Sequence, residues 1–259
     1  MAGTLLLSAA YSVLVAALYA YIGHRIGRRR IEGPARMAQR AFVAWWYALG
    51  AGSLLAALRI VLYDADHLPV WLYEAVGQVS LLLTLVALWG LLYYLIYLYT
   101  GSERVLAPLT VFYALFYVAL LLLLLWVGSP ERITDNGWSL QVEPEPDLPS
   151  IVVVLFLVFL VGPQIGASVA FIRLAFRLEG RTQKYRAGVV GTSILVWFGL
   201  TLIVGAVASA LKLDLAGNVV WQVVSRLIGL AAATMILMAY LPPAWIKRRL
   251  GVSSIEDET

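Results

Sequence analysis

The stretch VWLYEAVGQVSLLLTLVALWGLLYYLIYLY, residues 70–99, contains a single charged side chain, Glu74. A helix of about 20 apolar residues crosses the hydrocarbon core of a bilayer, which is roughly 30 Å thick. This stretch is longer than that, and it does not alternate between apolar and polar residues as a barrel strand of about ten residues does. It therefore predicts a transmembrane helix, because a helix satisfies its own backbone hydrogen bonds in lipid.

Six further stretches have the same character. With the first one they predict seven transmembrane segments, at residues 4–23, 41–63, 70–99, 108–128, 150–178, 188–211 and 219–241. Only 13% of the 259 residues are charged, whereas 62% are hydrophobic. Short connections predict that consecutive helices are antiparallel neighbours. We therefore expect an all-α polytopic membrane protein, in which a seven-helix bundle forms a single domain over residues 1–259.

The basic residues predict the orientation of this bundle. Cytoplasmic loops of membrane proteins carry an excess of Lys and Arg. Fifteen of the 19 Lys and Arg residues lie in alternate connections or after the last segment, most densely at residues 24–40. We therefore expect the N-terminus outside and the tail at residues 242–259 in the cytoplasm of a multi-pass cell-membrane protein. The net charge of +4 follows from this orientation and indicates no nucleic-acid partner.

The composition excludes several kinds of chemistry. The chain has no Cys and only two His, His24 and His67. Thiol, disulfide and iron–sulfur chemistry are thereby excluded, as is a metal site built from several histidines. No phosphate-binding loop, dinucleotide-binding turn or nucleophile elbow is present. We expect no enzymatic activity and no cofactor.

The longest connection, residues 129–149, reads SPERITDNGWSLQVEPEPDLP. It is expected to be external, and its closely spaced prolines disfavour a regular helix or a central strand. One interpretation is a solvated connector. The other is a cap over a pocket that opens to the outside, since long loops often have this role.

Polar side chains within the segments identify a candidate binding site. A charge inside a bilayer is costly, so it usually faces the interior of the bundle or a partner. The candidate ligand-binding residues lie near the outer ends of three segments and are Arg59, Glu74, Gln78, Gln222, Ser225 and Arg226. Both the Glu74/Gln78 and the Gln222/Arg226 pairs have a spacing of four residues, which places each pair on one helix face.

Two interpretations of this polar cluster remain open. Glu74 either neutralises Arg59 or Arg226 as a structural contact, with the glutamines bonding neighbouring helices, or the cluster lines an external cavity. In the second case, two arginines and one acid leave an excess positive charge. Such a cavity suits a small anion or a lipid headgroup.

The fifth segment and the third contain two further features. Pro163 removes a helical hydrogen bond and predicts a kink. The kink is either a packing feature or a hinge that passes a ligand signal inward, with Gln164 facing the cavity. In the third segment, a series of tyrosines that includes Tyr94 and Tyr97 indicates an aromatic belt and helix packing, or alternatively a pocket for an apolar ligand.

Two stretches carry a family resemblance. They are GRRRIEGPARMAQRAFVAWWYALG, residues 27–50, and LWGLLYYLIYLYTGSERVLAPLT, residues 88–110. Their basic first loop, Trp-bearing second segment and Tyr-Thr-Gly turn resemble the seven-transmembrane sensor region at the N-terminus of many bacterial and archaeal histidine kinases and diguanylate cyclases. The exit LPPAWIKRRLG, residues 241–251, is similar to the junction of those regions with their cytoplasmic domains.

The resemblance implies a membrane sensor, and the polar cluster indicates that it binds a small anionic or lipidic ligand from the outer side. Since no kinase or cyclase module follows in this sequence, we expect its output to pass through a cytoplasmic signalling partner. The alternatives are a transporter or channel component, or a structural subunit that contacts the other subunits of a membrane complex. In each of these cases the protein is embedded in the lipid bilayer, which is therefore an expected partner.

Overall fold

The structure is a computed structural model that describes residues 2–28, 33, 35–127, 130–143, 157–210 and 219–254. Within these ranges the chain forms eight α-helices and one β-hairpin. The helices are α1 (Ala2–Gly27), α2 (Ala35–Asp64), α3 (Val70–Thr100), α4 (Leu106–Val127), α5 (Gly162–Arg177), α6 (Arg181–Ala210), α7 (Val219–Tyr240) and α8 (Ala244–Leu250). A short 3-10 helix, Glu103–Val105, precedes α4, and a π-helical segment, Leu157–Val161, leads into α5.

In the described part of the chain, six helical stretches are long and apolar enough to cross a membrane. They are Thr4–Gly27, Ala35–Asp64, Val70–Thr100, Glu103–Leu123, Val158–Arg177 and Val219–Tyr240. The sixth predicted segment, residues 188–211, falls on α6, which has 30 residues. The all-α class is therefore confirmed. Residues 144–156, which include the start of the fifth predicted segment, lie outside the described part of the chain.

Two sets of three consecutive helices form the bundle. Helices α1, α2 and α3 pack in sequence, and so do α5, α6 and α7. Contacts between α3 and α5 and between α1 and α7 join the two sets, whereas α4 packs on α3 and is largely exposed. Antiparallel connection places the starts of α1, α3 and α7 and the end of α2 at one end of the bundle, which we call the hairpin end. We call the opposite end the basic end.

Small residues bring the helices close together. A side chain at Gly90 of α3 would overlap the carbonyl oxygen of Ala41 in α2. A Cβ atom at Gly191 of α6 would lie 3.0 Å from the carbonyl oxygen of Ser168 in α5. Such close backbone approach is typical of helix interfaces in membranes, where small residues replace a hydrophobic driving force.

The longest connection contains a β-hairpin that the sequence analysis did not predict. Strands β1 (Arg132–Asp135) and β2 (Leu140–Glu143) are antiparallel, and an ion pair joins the side chains of Arg132 and Glu143. In the turn, the Asn136 side chain accepts hydrogen bonds from the amides of Trp138 and Ser139, and Gly137 adopts a positive φ of 83°. Strand β2 reaches Glu143, the last described residue before Pro144, so the prolines do not prevent a hairpin in this connection.

Candidate functional site

A cavity of about 430 Å³ lies at the hairpin end, between α1, α2, α3, α6 and α7. This volume is within the range of small-molecule sites. Seven hydroxyl side chains from four helices line it: Tyr11, Ser12, Tyr19, Ser53, Ser80, Thr84 and Ser225. Arg226 is the one charged residue among the described residues that line this cavity, which we call the outer cavity.

The aliphatic hydroxyls of the outer cavity already donate hydrogen bonds. Ser12, Ser53 and Ser80 each donate to a backbone carbonyl of their own helix at 2.9 Å. Thr84 does the same at 2.9 Å and Ser225 at 3.0 Å. Because a hydroxyl has one proton and two acceptor sites, these groups offer lone pairs to a ligand. The lining therefore combines several acceptors with one cation.

Arg226 connects three parts of the protein. Its Nη1 donates to the Oγ of Ser8 at 2.6 Å, and its backbone carbonyl accepts a hydrogen bond from the Tyr11 hydroxyl at 3.1 Å. Its Cζ lies 5.5 Å from the centre of the Trp138 ring, within the range of a cation–π interaction. Among the described residues, no carboxylate forms an ion pair with Arg226.

The hairpin packs on the helix ends beside the outer cavity. Trp138 lies over Arg226, and Leu140 packs against a cluster that includes Leu5 of α1 and Ile60 of α2. The Tyr63 hydroxyl donates to Oδ2 of Asp135 at 3.3 Å. The hairpin is thus attached to α1, α2 and α7 beside the outer cavity.

Aromatic residues form the inner wall of the outer cavity. Tyr19 and Trp197 line it. Gly229 packs closely on this wall, since a Cβ atom there would lie 3.3 Å from the Trp197 indole. The Tyr19 ring centre lies 5.6 Å from that of Trp46.

A stack of aromatic rings continues from this wall toward the basic end. Trp46 lies 4.3 Å from Trp45, measured between ring centres, and Trp45 lies 5.2 Å from Phe42. Phe42 in turn stacks on Tyr94 at 4.0 Å. Trp45 and Trp46 are buried, so this tryptophan pair belongs to the core of the bundle.

The structure brings two of the six predicted ligand-binding residues to the outer cavity, Ser225 and Arg226. The side chains of Glu74 and Gln78 do not line it, and neither does that of Gln222, whose carbonyl accepts the hydrogen bond from Ser225. In the described part of the chain, Glu74 forms an ion pair with neither predicted arginine. The predicted convergence of Arg59, Glu74 and Arg226 is therefore not observed.

Arg59 makes local contacts instead. Its Nη2 donates to the carbonyl oxygen of Tyr73 at 2.8 Å, and its Cζ lies 3.6 Å from the centre of the same tyrosine ring. Gly77, one turn further along α3, leaves room for the guanidinium, since a Cβ there would lie 3.2 Å from Nη2. Arg59 thus joins the end of α2 to the start of α3.

The predicted hinge residues lie on the other side of the bundle. Pro163 is the second residue of α5 and follows the π-helical segment Leu157–Val161, so the helix is irregular at the predicted place. Gln164 is fully buried, and its Nε2 donates to the Leu88 carbonyl at 3.0 Å and to the Tyr113 hydroxyl at 3.3 Å. It connects α3, α4 and α5 and does not line the outer cavity.

Sequence reasoning missed the hydroxyl lining and the part of Ser8 and Trp138 in the site. The sequence does contain a signal for the hydroxyl lining of the outer cavity. Ser8 and Ser12 have a spacing of four residues in α1, as Ser80 and Thr84 have in α3, and this spacing puts hydroxyls on one helix face. No comparable signal predicts that Trp138 reaches Arg226, because that contact depends on how the hairpin folds over the bundle.

No protein-family model and no curated protein matches this chain. Its class therefore follows from the fold itself. Six helices long and apolar enough to cross a membrane indicate a multi-pass helical membrane protein.

Proposed function

We propose that the protein is a seven-helix membrane sensor that binds a small anionic ligand in the outer cavity and signals to a cytoplasmic partner. The observation that carries this proposal is Arg226, a half-buried cation in a hydroxyl-lined cavity beneath the hairpin. The resemblance to seven-transmembrane sensor regions supports a sensor over other membrane proteins.

The proposal includes a topology. Helix α6, with 30 residues, adds a seventh crossing to the six apolar helices, and the Lys and Arg residues favour the basic end as the cytoplasmic one. The hairpin and the outer cavity then face outward, with the N-terminus on the same side. A ligand enters from outside, and the C-terminal segment meets the signalling partner.

The lining favours a ligand that carries both a negative charge and hydrogen-bond donors. An arginine binds a carboxylate or phosphate through charge-assisted hydrogen bonds, which are roughly twice as strong as neutral ones. The serine and threonine oxygens accept hydrogen bonds from hydroxyl or amine groups on the same ligand. A hydroxy acid or amino acid fits this lining better than a simple carboxylate.

Signal transmission requires that the ligand bind two conformations with different affinity. The outer cavity lies between α1 and α7, and its aromatic wall contacts α6 at Trp197. A small shift of α6 or α7 around an occupied cavity changes the contacts of the aromatic stack that reaches Tyr94. Shifts of this kind, of about 1–2 Å, are common in switching proteins.

A binding experiment tests the ligand class. The full chain in phosphatidylcholine nanodiscs is titrated with lactate, acetate, inorganic phosphate and the neutral lactamide, and Tm is followed. We expect at least one anionic probe to raise Tm and lactamide to have no effect. Arg226→Gln should weaken this response about tenfold or more, as expected for loss of a hydrogen bond to a charged group. Arg59→Gln is the matched control and should respond normally.

Equal responses of the Arg226→Gln and Arg59→Gln variants would contradict the proposed site, as would the lack of any anion effect.

The side from which the outer cavity can be labelled then distinguishes a sensor from a transporter. Because the chain has no cysteine, Ser53→Cys provides a single thiol in the outer cavity. A sensor predicts labelling by a membrane-impermeant maleimide from the hairpin side only, with or without lactate. Labelling from both sides would indicate a transporter.

A further inference from the structure

A second cavity lies at the basic end, where α1, α3, α5 and α7 end and α2 and α6 begin. Its volume is about 430 Å³, and it shares no lining residue with the outer cavity. The aromatic stack separates the two, since Phe42 and Tyr94 line the second cavity. We call it the inner cavity, and the proposed sensing of an external ligand does not use it.

The polar side of the inner cavity carries a positive charge. Arg186 is the one charged residue among the described residues that line it. Its Nη2 donates to the Ser253 carbonyl at 3.3 Å, which holds the guanidinium against the C-terminal segment. Tyr94 and Tyr240 also line this cavity, and their hydroxyls form a hydrogen bond with each other.

The remaining lining is mostly apolar and reaches the surface. Ile26, Leu174 and Leu178 come from the ends of α1 and α5. Leu98 at the end of α3 lines the cavity and is 44% exposed, while the exposed Gln183 lies on the same helix as Arg186. The opening therefore has an apolar edge and a polar edge.

Further basic residues surround this end of the bundle. Arg181 and Lys184 lie at the start of α6, and Lys247, Arg248 and Arg249 lie on α8. The two groups are adjacent, since a Cβ atom at Gly251, which follows α8, would lie 3.4 Å from the Arg181 guanidinium. Basic clusters beside transmembrane helices attract anionic lipids, so the local concentration of such molecules is raised at the opening.

We propose that the inner cavity binds an anionic amphiphile, an acyl chain that ends in a carboxylate or phosphate. The anionic group binds Arg186, with Gln39 and Gln183 beside it. The chain lies along the apolar wall toward Leu98. This charge and shape distinguish the ligand from the small polar anion proposed for the outer cavity.

The test uses the full chain in phosphatidylcholine nanodiscs. One arm adds oleate or the uncharged oleyl alcohol, and a second arm replaces part of the lipid with phosphatidylglycerol; Tm is measured in both. We expect stabilisation by oleate, by phosphatidylglycerol or by both, and none by oleyl alcohol. A response to oleate alone identifies a free fatty acid as the source of the ligand, and a response to phosphatidylglycerol alone identifies a membrane lipid.

Two variants make the test specific. Arg186→Gln should weaken the oleate or phosphatidylglycerol response about tenfold or more. Lys184→Gln removes one charge from an exposed position of the same helix, outside the lining of the cavity, and should weaken the response much less than Arg186→Gln does. If Arg186→Gln fails to fold, Leu98→Glu places a negative charge at the exposed rim and should also suppress the response.

Equal stabilisation by oleyl alcohol, or equal responses of the Arg186→Gln and Lys184→Gln variants, would overturn the proposal. So would no response to either anionic amphiphile. Arg226→Gln should leave the inner-cavity response unchanged while it weakens the response to lactate or phosphate at the outer cavity. The failure of one proposal is therefore distinguishable from the failure of the other.

Discussion

The guanidinium carbon of Arg226 lies 5.5 Å from the centre of the Trp138 ring. This contact joins the charged residue of the outer cavity to the hairpin between α4 and α5. It also shields part of the guanidinium from water, which strengthens its interaction with an anion. The position of the hairpin and the affinity of the cavity are therefore expected to be linked.

We predict a measurable coupling energy between these two residues. In a double-mutant cycle of Arg226→Met and Trp138→Leu, the free energies of unfolding in detergent should be non-additive by about 0.5–2 kcal/mol, the range for cation–π pairs. The matched control replaces the exposed Trp245 by Leu, and this variant should add to Arg226→Met within about 0.5 kcal/mol. An additive Trp138 cycle would show that the contact contributes nothing.

Hydropathy predicted the helices because lipid imposes a simple length rule on apolar segments. Their ends were less predictable. The first connection was expected at residues 24–40, but α1 continues to Gly27 and α2 begins at Ala35, since polar residues are compatible with helix outside the hydrocarbon. The sequence analysis did not predict the hairpin, because the prolines that follow disfavour a regular helix or a central strand. Asn136 and Gly137 nevertheless form a strong turn signal.

The site was predicted only in part for a different reason. A sequence indicates the depth of a polar residue in a segment but not the direction in which its helix face points within the bundle. Arg59 and Arg226 were assigned one depth, yet Arg226 lines the outer cavity and Arg59 contacts Tyr73. Helix rotation is set by packing, including close contacts such as the one at Gly90.

The topology can be checked with single cysteines in the cysteine-free chain. Glu131→Cys lies beside strand β1, and Glu179→Cys lies between α5 and α6; both positions are exposed. In intact cells, a membrane-impermeant maleimide should label Glu131→Cys, whereas Glu179→Cys should react only after permeabilisation. A reporter fused after Thr259 should be active only in the cytoplasm. The reverse pattern would invert the proposed orientation of both cavities.

Close helix packing predicts opposite outcomes at two glycines. Gly90→Ala forces its methyl group into the Ala41 carbonyl and should destabilise the bundle by about 1–3 kcal/mol, the usual cost of overpacking. Gly166→Ala has open space around the new methyl group and should stabilise α5 by up to about 1 kcal/mol through helix propensity. Thermal unfolding in detergent measures both. A neutral Gly90→Ala would mean that α2 and α3 are less closely packed than the structure indicates.

Pro163 provides the last test. It cannot donate the hydrogen bond that a regular helix needs at this position, and only Gly162 separates it from the π-helical segment. Pro163→Ala restores the donor, so the segment Leu157–Val161 should become α-helical and its amide hydrogen exchange should slow. Because Gln164 is buried against Leu88, away from the outer cavity, we expect Tm to change while the lactate or phosphate response stays normal. If Pro163→Ala instead alters that response, α5 takes part in the conformational change. The shift in apparent affinity then measures the change in the population of the binding-competent conformation.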